Sequence, residues 1–267
     1  MLRRIGLLLF AGGLLCSFAD PADERLFKEK IAKRSASTSA QRITQLALSF
    51  LGTPYVAHTL EQGSTEHLVI NLRQLDCTTF VENVLALSRT TNDFSDFQSR
   101  IQQLRYRNGV INGYGSRLHY LSSVLMQAQQ LSVLEDITAQ IGGEHYNKTI
   151  DFMSKHRQLY PALRDSLNFE EIKKSESLLA LQNRFYIPKA NIFTLESKIN
   201  DGDLIGITSS VAGLDVSHEG FALRKDNRIY LIHASSQLGK VVVSDEPLME
   251  YLASHKEQTG IIVARIK

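Results

Sequence analysis

The stretch LDCTTFVENVLAL, Leu75 to Leu87, decides how this chain is read. Phe80, Val81, Val84, Leu85 and Leu87 recur at three- and four-residue spacing, which predicts a helix with a broad apolar face. Asp76 can cap its N-terminus, and Thr79 with Glu82 offers a second capping box three residues apart. Either choice puts Cys77 in or beside the first turn. There the unpaired amides and the positive end of the helix dipole favour a thiolate, the nucleophilic form of cysteine. The same amides can receive an oxyanion.

The chain has two cysteines, and the other is Cys16. It lies in MLRRIGLLLFAGGLLCSFAD, where Arg3 and Arg4 precede an apolar run from Ile5 to Leu15 and then small residues. That layout predicts a secretory signal peptide at residues 1–19, with Ser17-Phe18-Ala19 as the cleavage signal and Asp20 as the mature start. A lipid anchor at Cys16 is the minority reading, because Leu15 stands where a small residue is expected. The apolar run is too short for a permanent span, and nothing later offers a second one. With the leader removed, Cys77 is left without a disulfide partner in an oxidising compartment. A lone cysteine often serves as a small buried hydrophobe. Its place after an aspartate at a helix start favours chemistry instead.

Cleavage would leave 248 of the 267 residues, enough for one sizeable core. Residues 20–42 are charged and rich in Ser and Thr, which predicts a mobile lead-in with at most one helix; residues 43–267 read as a single domain. The formal charge of +2 comes from Arg3 and Arg4, so the mature balance is near zero and gives no electrostatic case for nucleic acid or a membrane surface. ITQLALSFLGTPY, the Cys77 helix and FSDFQSRIQQLRY read as helical, followed by a block from about Leu118 to Ser132. Residues 142–187 read as helices with loops, including DFMSKHRQLYPAL and FEEIKKSESLLAL. DLIGIT, SHEGFAL, RIYLIHA, KVVVSD and GIIVARI are short, rich in Val and Ile, and separated by Gly, Asn and Asp, so they read as strands. Helices first and strands later predict an α+β domain with helices packed on an antiparallel sheet.

A thiolate requires a base, and the chain has eight histidines. His58, His67, His145, His156 and His255 stand in contexts typical of surface residues, and His119 is ambiguous. His218 and His233 lie on consecutive predicted strands. A two-residue turn at Asp226-Asn227 would oppose residues whose numbers sum to 453, pairing His218 with Ser235 and His233 with Gly220. The two histidines then become diagonal neighbours on one face, whereas a slip of one residue separates them. Cys77, His218 and His233 would form a cysteine-hydrolase arrangement of nucleophile, base and orienting group. No spacing suits a structural zinc, and no HExxH is present, so metal binding ranks below thiol catalysis.

These residues resemble a known family. LGTPY, DCTTFVEN, GDLIGI, DVSHEGFA and LIHASS occur in the order of NlpC/P60 cell-wall cysteine peptidases. The fuller resemblance is to the DUF1460 branch, the N-acetylmuramoyl-L-alanine amidase-like proteins. RYRNGVINGYGSRLHY, DFMSKH and GLDVSH carry that match, which covers about Ile43 to Lys267. The resemblance implies a papain-like fold with the nucleophile Cys77 at a helix N-terminus, His218 as base, His233 as third member and no cofactor. It also implies Tyr55, Asp76, Arg117, His119 and Tyr120 as substrate contacts, and peptidoglycan fragments as partners. Two departures stand out: Ser122-Ser123-Val124 replaces an expected Asp-Trp pair, and Glu219 replaces a neutral residue.

The implied activity is hydrolysis of the N-acetylmuramoyl-L-alanine amide of 1,6-anhydro-muropeptides in the periplasm. Three alternatives stay open: cleavage between D-glutamate and the diamino acid, acyl transfer by the same thiol, or a non-catalytic cell-wall-binding module.

Overall fold

The C-terminal strands form the spine of the structure, a computed structural model that describes residues 20–267. The leader read at residues 1–19, Cys16 included, lies outside the described residues. The helices are α1 Pro21–Ala32, α2 Ser39–Leu48, α3 Cys77–Arg89, α4 Phe94–Arg105, α5 Leu121–Gln130, α6 Thr138–Ile141, α7 Phe152–Lys155, α8 Ser166–Ala180, α9 Ile192–Leu195 and α10 Leu248–Ala253. The strands are β1 Leu134–Asp136, β2 Glu144–His145, β3 Phe185–Pro188, β4 Leu204–Ser209, β5 Val216–Lys225, β6 Arg228–Ser235, β7 Lys240–Val243 and β8 Gln258–Ile266. They pair antiparallel in the order β2-β3-β8-β4-β5-β6-β7, with β1 also on β8. This is the expected α+β architecture of helices and an antiparallel sheet.

The turn at Asp226-Asn227 sets the register. Both residues have positive φ, 51° and 62°, as a two-residue hairpin that follows the strand twist requires. Lys225 opposes Arg228 and Phe221 opposes Ile232, the predicted pairing. Alternation then divides each strand between two cores. Phe221 and Ile232 join Phe50, Phe80 and Leu85 beneath the N-terminal helices, while Ala222 and Leu231 join Ile207, Leu248 and Leu252 on the opposite face.

α3 is the central helix, buried from Thr79 through Ser88. That burial includes a charge pair: Arg105 donates to Glu82 Oε2 from Nε at 2.9 Å and Nη2 at 2.7 Å, and from Nη1 to the Val69 carbonyl at 2.6 Å. Removing one member would leave an uncompensated buried charge, costing about 3–5 kcal/mol.

Residues 20–42 differ from the expected mobile lead-in. They hold all of α1 and the start of α2, and Phe27 is fully buried against Phe94 and Phe97. Buried Asp23 accepts from the Leu72 amide at 2.8 Å and pairs with Arg73. The charged composition that suggested mobility is satisfied by partners some 50 residues away in the chain.

Candidate active site

Asp76 is the N-cap of α3. Its Oδ1 accepts from the Thr79 amide at 2.8 Å, and Thr79 Oγ1 accepts from the Asp76 amide at 2.9 Å, closing a reciprocal capping box. The alternative box through Glu82 is ruled out by that residue's pairing with Arg105. Cys77 is therefore the first residue of α3, and it is half-buried.

The histidines meet where β5 and β6 come together beyond Phe221 and Ile232. His218 Nε2 and His233 Nδ1 are 2.7 Å apart, with the rings edge-on at 84°. One nitrogen donates and the other accepts, and His218 Nδ1 is left for a second partner. Gly220 permits this approach. A Cβ there would lie 2.5 Å from the Ile232 carbonyl oxygen and 2.9 Å from His233 Cβ. His233 is only 2% exposed and also packs against Tyr251 of α10.

Burial sets the protonation states. It pushes His218 down to about 3, aided by His233 and His255, and His233 down to about 4, aided by His255. Both imidazoles are neutral at neutral pH. The Cys77 thiol is pushed well above its usual range by burial and then by the Glu219 and Asp76 carboxyls; hydrogen bonding to the Glu219 backbone and to Thr78 opposes this. Lost solvation and the neighbouring carboxyls thus act on the thiol in the opposite direction to the helix dipole. Glu219, itself 6% exposed, is pushed up to about 8 by burial, with Glu82, Asp76 and Asp215 acting in the same sense and hydrogen bonding to Thr78 against it.

Cys77, His119, Asp215, His218 and Glu219 line one cavity of about 100 Å³. Beyond it lies a cleft of about 820 Å³ bordered by Glu61, Glu66, Tyr114, Arg117 and Tyr160. His119 links the two: its Nε2 donates to the Tyr114 carbonyl at 2.9 Å, and its ring lies 4.4 Å from that of Tyr114.

Of the residues expected at the site, Cys77, His218, His119 and Asp76 gather at or beside the small cavity. Tyr55 is half-buried and close enough for the Cys77 and Asp76 charges, after burial, to raise its phenol pKa. Arg117 stands in the wall of the larger cleft, its guanidinium engaged by Glu66 at 2.7 Å, Glu61 at 2.9 Å and the Leu60 carbonyl at 2.9 Å. Tyr120 does not belong to the cavity. It is 2% exposed, and its hydroxyl donates to Glu176 at 2.7 Å and accepts from the Met153 amide at 2.8 Å. Its alternation partner in sequence, His119, reaches the cavity instead.

Asp215 was missed as a site residue. It is 1% exposed, and its carboxylate accepts from the Ser122 and Val216 amides at 2.8 Å each, which ties the cavity floor to the start of α5. Its position three residues before His218 within DVSHEGFA was the available signal.

A model of the AmiA-like family, described as N-acetylmuramoyl-L-alanine amidase-like, matches residues 45–261, and this chain belongs to that family. An N-acetylmuramoyl-L-alanine amidase structure from Bacteroides uniformis is similar at 40% identity and TM-score 0.83, covering 86% of this chain and all of that one. A Bacteroides fragilis structure described as a proposed xylanase is 39% identical with TM-score 0.78, covering 82% and 98%. A Legionella pneumophila protein described by the family designation DUF1460 is 25% identical with TM-score 0.72, covering 92% and 94%. No curated protein matches the chain.

Proposed function

We propose that this chain is an exported cysteine amidase of the NlpC/P60 type that hydrolyses the amide between N-acetylmuramic acid and L-alanine, with soluble 1,6-anhydro-muropeptides as substrates. The observation that carries this reading is the shared cavity of Cys77 and His218, with His218 held by His233 at 2.7 Å. Membership of the amidase-like family supports the choice of bond.

In this reading neutral His218 takes the Cys77 proton as sulfur attacks the lactyl carbonyl, so charge separation occurs only as the bond forms. The amides of the first turn of α3 face the developing oxyanion. Collapse breaks the C–N bond, His218 returns the proton to the L-alanine nitrogen, and the stem peptide leaves. Water, deprotonated by His218, then cleaves the thioester and releases the muramic carboxylate. His233 holds the base in one orientation throughout. The large cleft beside His119 offers room for the rest of the substrate. The leader pattern at residues 1–19 supports export to the periplasm.

The test is mass spectrometry of products from anhydro-muropeptides treated with residues 20–267 or with the Cys77→Ala variant. Disaccharide and intact stem peptide from the wild type alone would support the amidase. Fragments cut after D-glutamate would replace it with the endopeptidase, and no Cys77-dependent product would favour a binding module.

A further inference from the structure

A second polar cavity lies at the opposite end of α3. It measures about 500 Å³, and its walls carry five cationic side chains: Arg34, Arg42, Arg89, Arg100 and Lys267. Arg100 is paired with Asp96 at 3.1 Å and Lys267 with Glu135 at 2.9 Å. Among the described residues, no side-chain carboxylate lies within ion-pair distance of the other three. Arg34 and Arg42 donate to backbone carbonyls, and Arg89 to the terminal oxygen of Lys267. Arg34 Nη1 donates to the Leu87 oxygen at 2.9 Å and the Thr90 oxygen at 2.6 Å, Arg42 Nη1 to Ser88 at 3.3 Å, and Arg89 Nη1 to Lys267 at 3.1 Å.

Arginines at a helix C-terminus answer the negative end of its dipole, which amounts to about half a charge. The Arg34 and Arg42 guanidinium charges alone exceed that several-fold. The excess is felt locally: burial first, and then the charge of Arg42, weakens the hold of Arg34 on its proton. Arg42 Nε is also buried without a hydrogen-bond partner, so a donor is left unanswered beside the cavity.

We propose that this cavity is an anion site that takes a phosphate-bearing ligand. Guanidinium groups match phosphate oxygens in paired hydrogen bonds, and convergent arginines favour that group over a neutral ligand. The volume falls within the range of roughly 300–1,000 Å³ typical of small-molecule sites, which leaves space for an organic group attached to the phosphate. The 13 residues of α3 separate this site from Cys77 by about 20 Å. It is therefore distinct from the thiol cavity and does not depend on the reaction proposed there.

Calorimetric titration of the full chain with inorganic phosphate, at ionic strength held constant with chloride, tests the site. Saturable one-to-one binding is expected. Arg42→Gln and Arg89→Gln should each weaken it by about tenfold or more, the scale of one charge-assisted hydrogen bond, while exposed Arg164→Gln leaves it unchanged. Arg89 donates only to the terminal Lys267 oxygen, so its variant keeps the test intact if Arg42→Gln fails to fold. Absence of saturable binding, or equal binding by wild type and Arg89→Gln, would overturn the proposal and leave these arginines as helix caps. Co-sedimentation with phosphatidylglycerol vesicles but not zwitterionic ones, reversed by free phosphate, would assign the ligand as a lipid headgroup. Phosphate binding without co-sedimentation would assign a soluble phosphate compound.

Discussion

The two ends of α3 meet the same dipole with opposite chemistry. At the N-terminal end, the Asp76 and Glu219 carboxyls stand by Cys77; at the C-terminal end, among the described residues, Arg34 and Arg42 stand without carboxylate partners. Dipole sign alone would predict both arrangements. Burial separates them. Glu219 is 6% exposed and held protonated up to about pH 8, whereas Arg34, Arg42 and Arg89 are only partly covered and belong to a residue type that stays charged in proteins. One end of the helix thus keeps neutral groups able to exchange a proton, and the other keeps fixed charge.

The largest expected effect breaks the proton-exchanging end. His218→Ala should lower turnover by on the order of 10²–10⁴, measured as kcat with fold verified by circular dichroism. His233→Ala should fall toward the lower part of that range, and His233→Asn should recover part of the loss because an amide can still hold His218 Nε2. Equal activity of the two His233 variants would sink its orienting role.

Next in size is Gly220→Ala. The added methyl meets the Ile232 carbonyl and His233 Cβ, so a loss of about 1–3 kcal/mol in stability is expected from denaturant titration. Turnover should drop further than stability alone explains, because His233 itself must shift. An unperturbed melt would show that the strands give way easily.

The smallest effect sharpens the contrast. The folded pKa of Glu219 lies above its ordinary 4.5, at about 8, so its contribution is present below pH 4.5 and lost as pH rises through 8. Glu219→Gln cannot ionise, and it should gain stability relative to wild type between pH 5 and pH 9. It also removes the carboxylate that raises the Cys77 pKa, so iodoacetamide labelling at pH 9 should accelerate several-fold. Slower labelling would show that Glu219 supports the thiolate. The histidines act in the opposite direction: with folded values near 3 and 4, the stability they contribute above 6.5 is lost as pH falls toward those values.

What could be read from the sequence follows from where the determining interactions lie. Five C-terminal strands and the Cys77 helix carry their own periodicity, and Asp226-Asn227 fixes the histidine register locally. β1, β2 and β3 have three, two and four residues, too few to show alternation, and they exist because distant strands pair with them. α1 was obscured for a related reason. Lys30 is largely buried over the Phe50 ring at 3.5 Å, and Asp23 is answered by Arg73, contacts absent from local composition. Cys77, His218 and His233 were legible because residue type and turn spacing sufficed. The protonation states were not, because they depend on solvent exclusion by the assembled fold.

β8 gives the architecture a further consequence, for folding kinetics. Although it follows every other strand in the chain, it lies between β3 and β4 and also receives β1, with Leu134 opposite Ile266 and Ser209 opposite Gln258. Such pairings require long loops to close before any contact compensates, which places them among slow steps. Until β8 docks, β4 exposes a row of unpaired amides and carbonyls, an edge ready to recruit a strand from another molecule. A chain cut ahead of Gln258 therefore becomes a self-associating species, which is a different failure from a weakened enzyme.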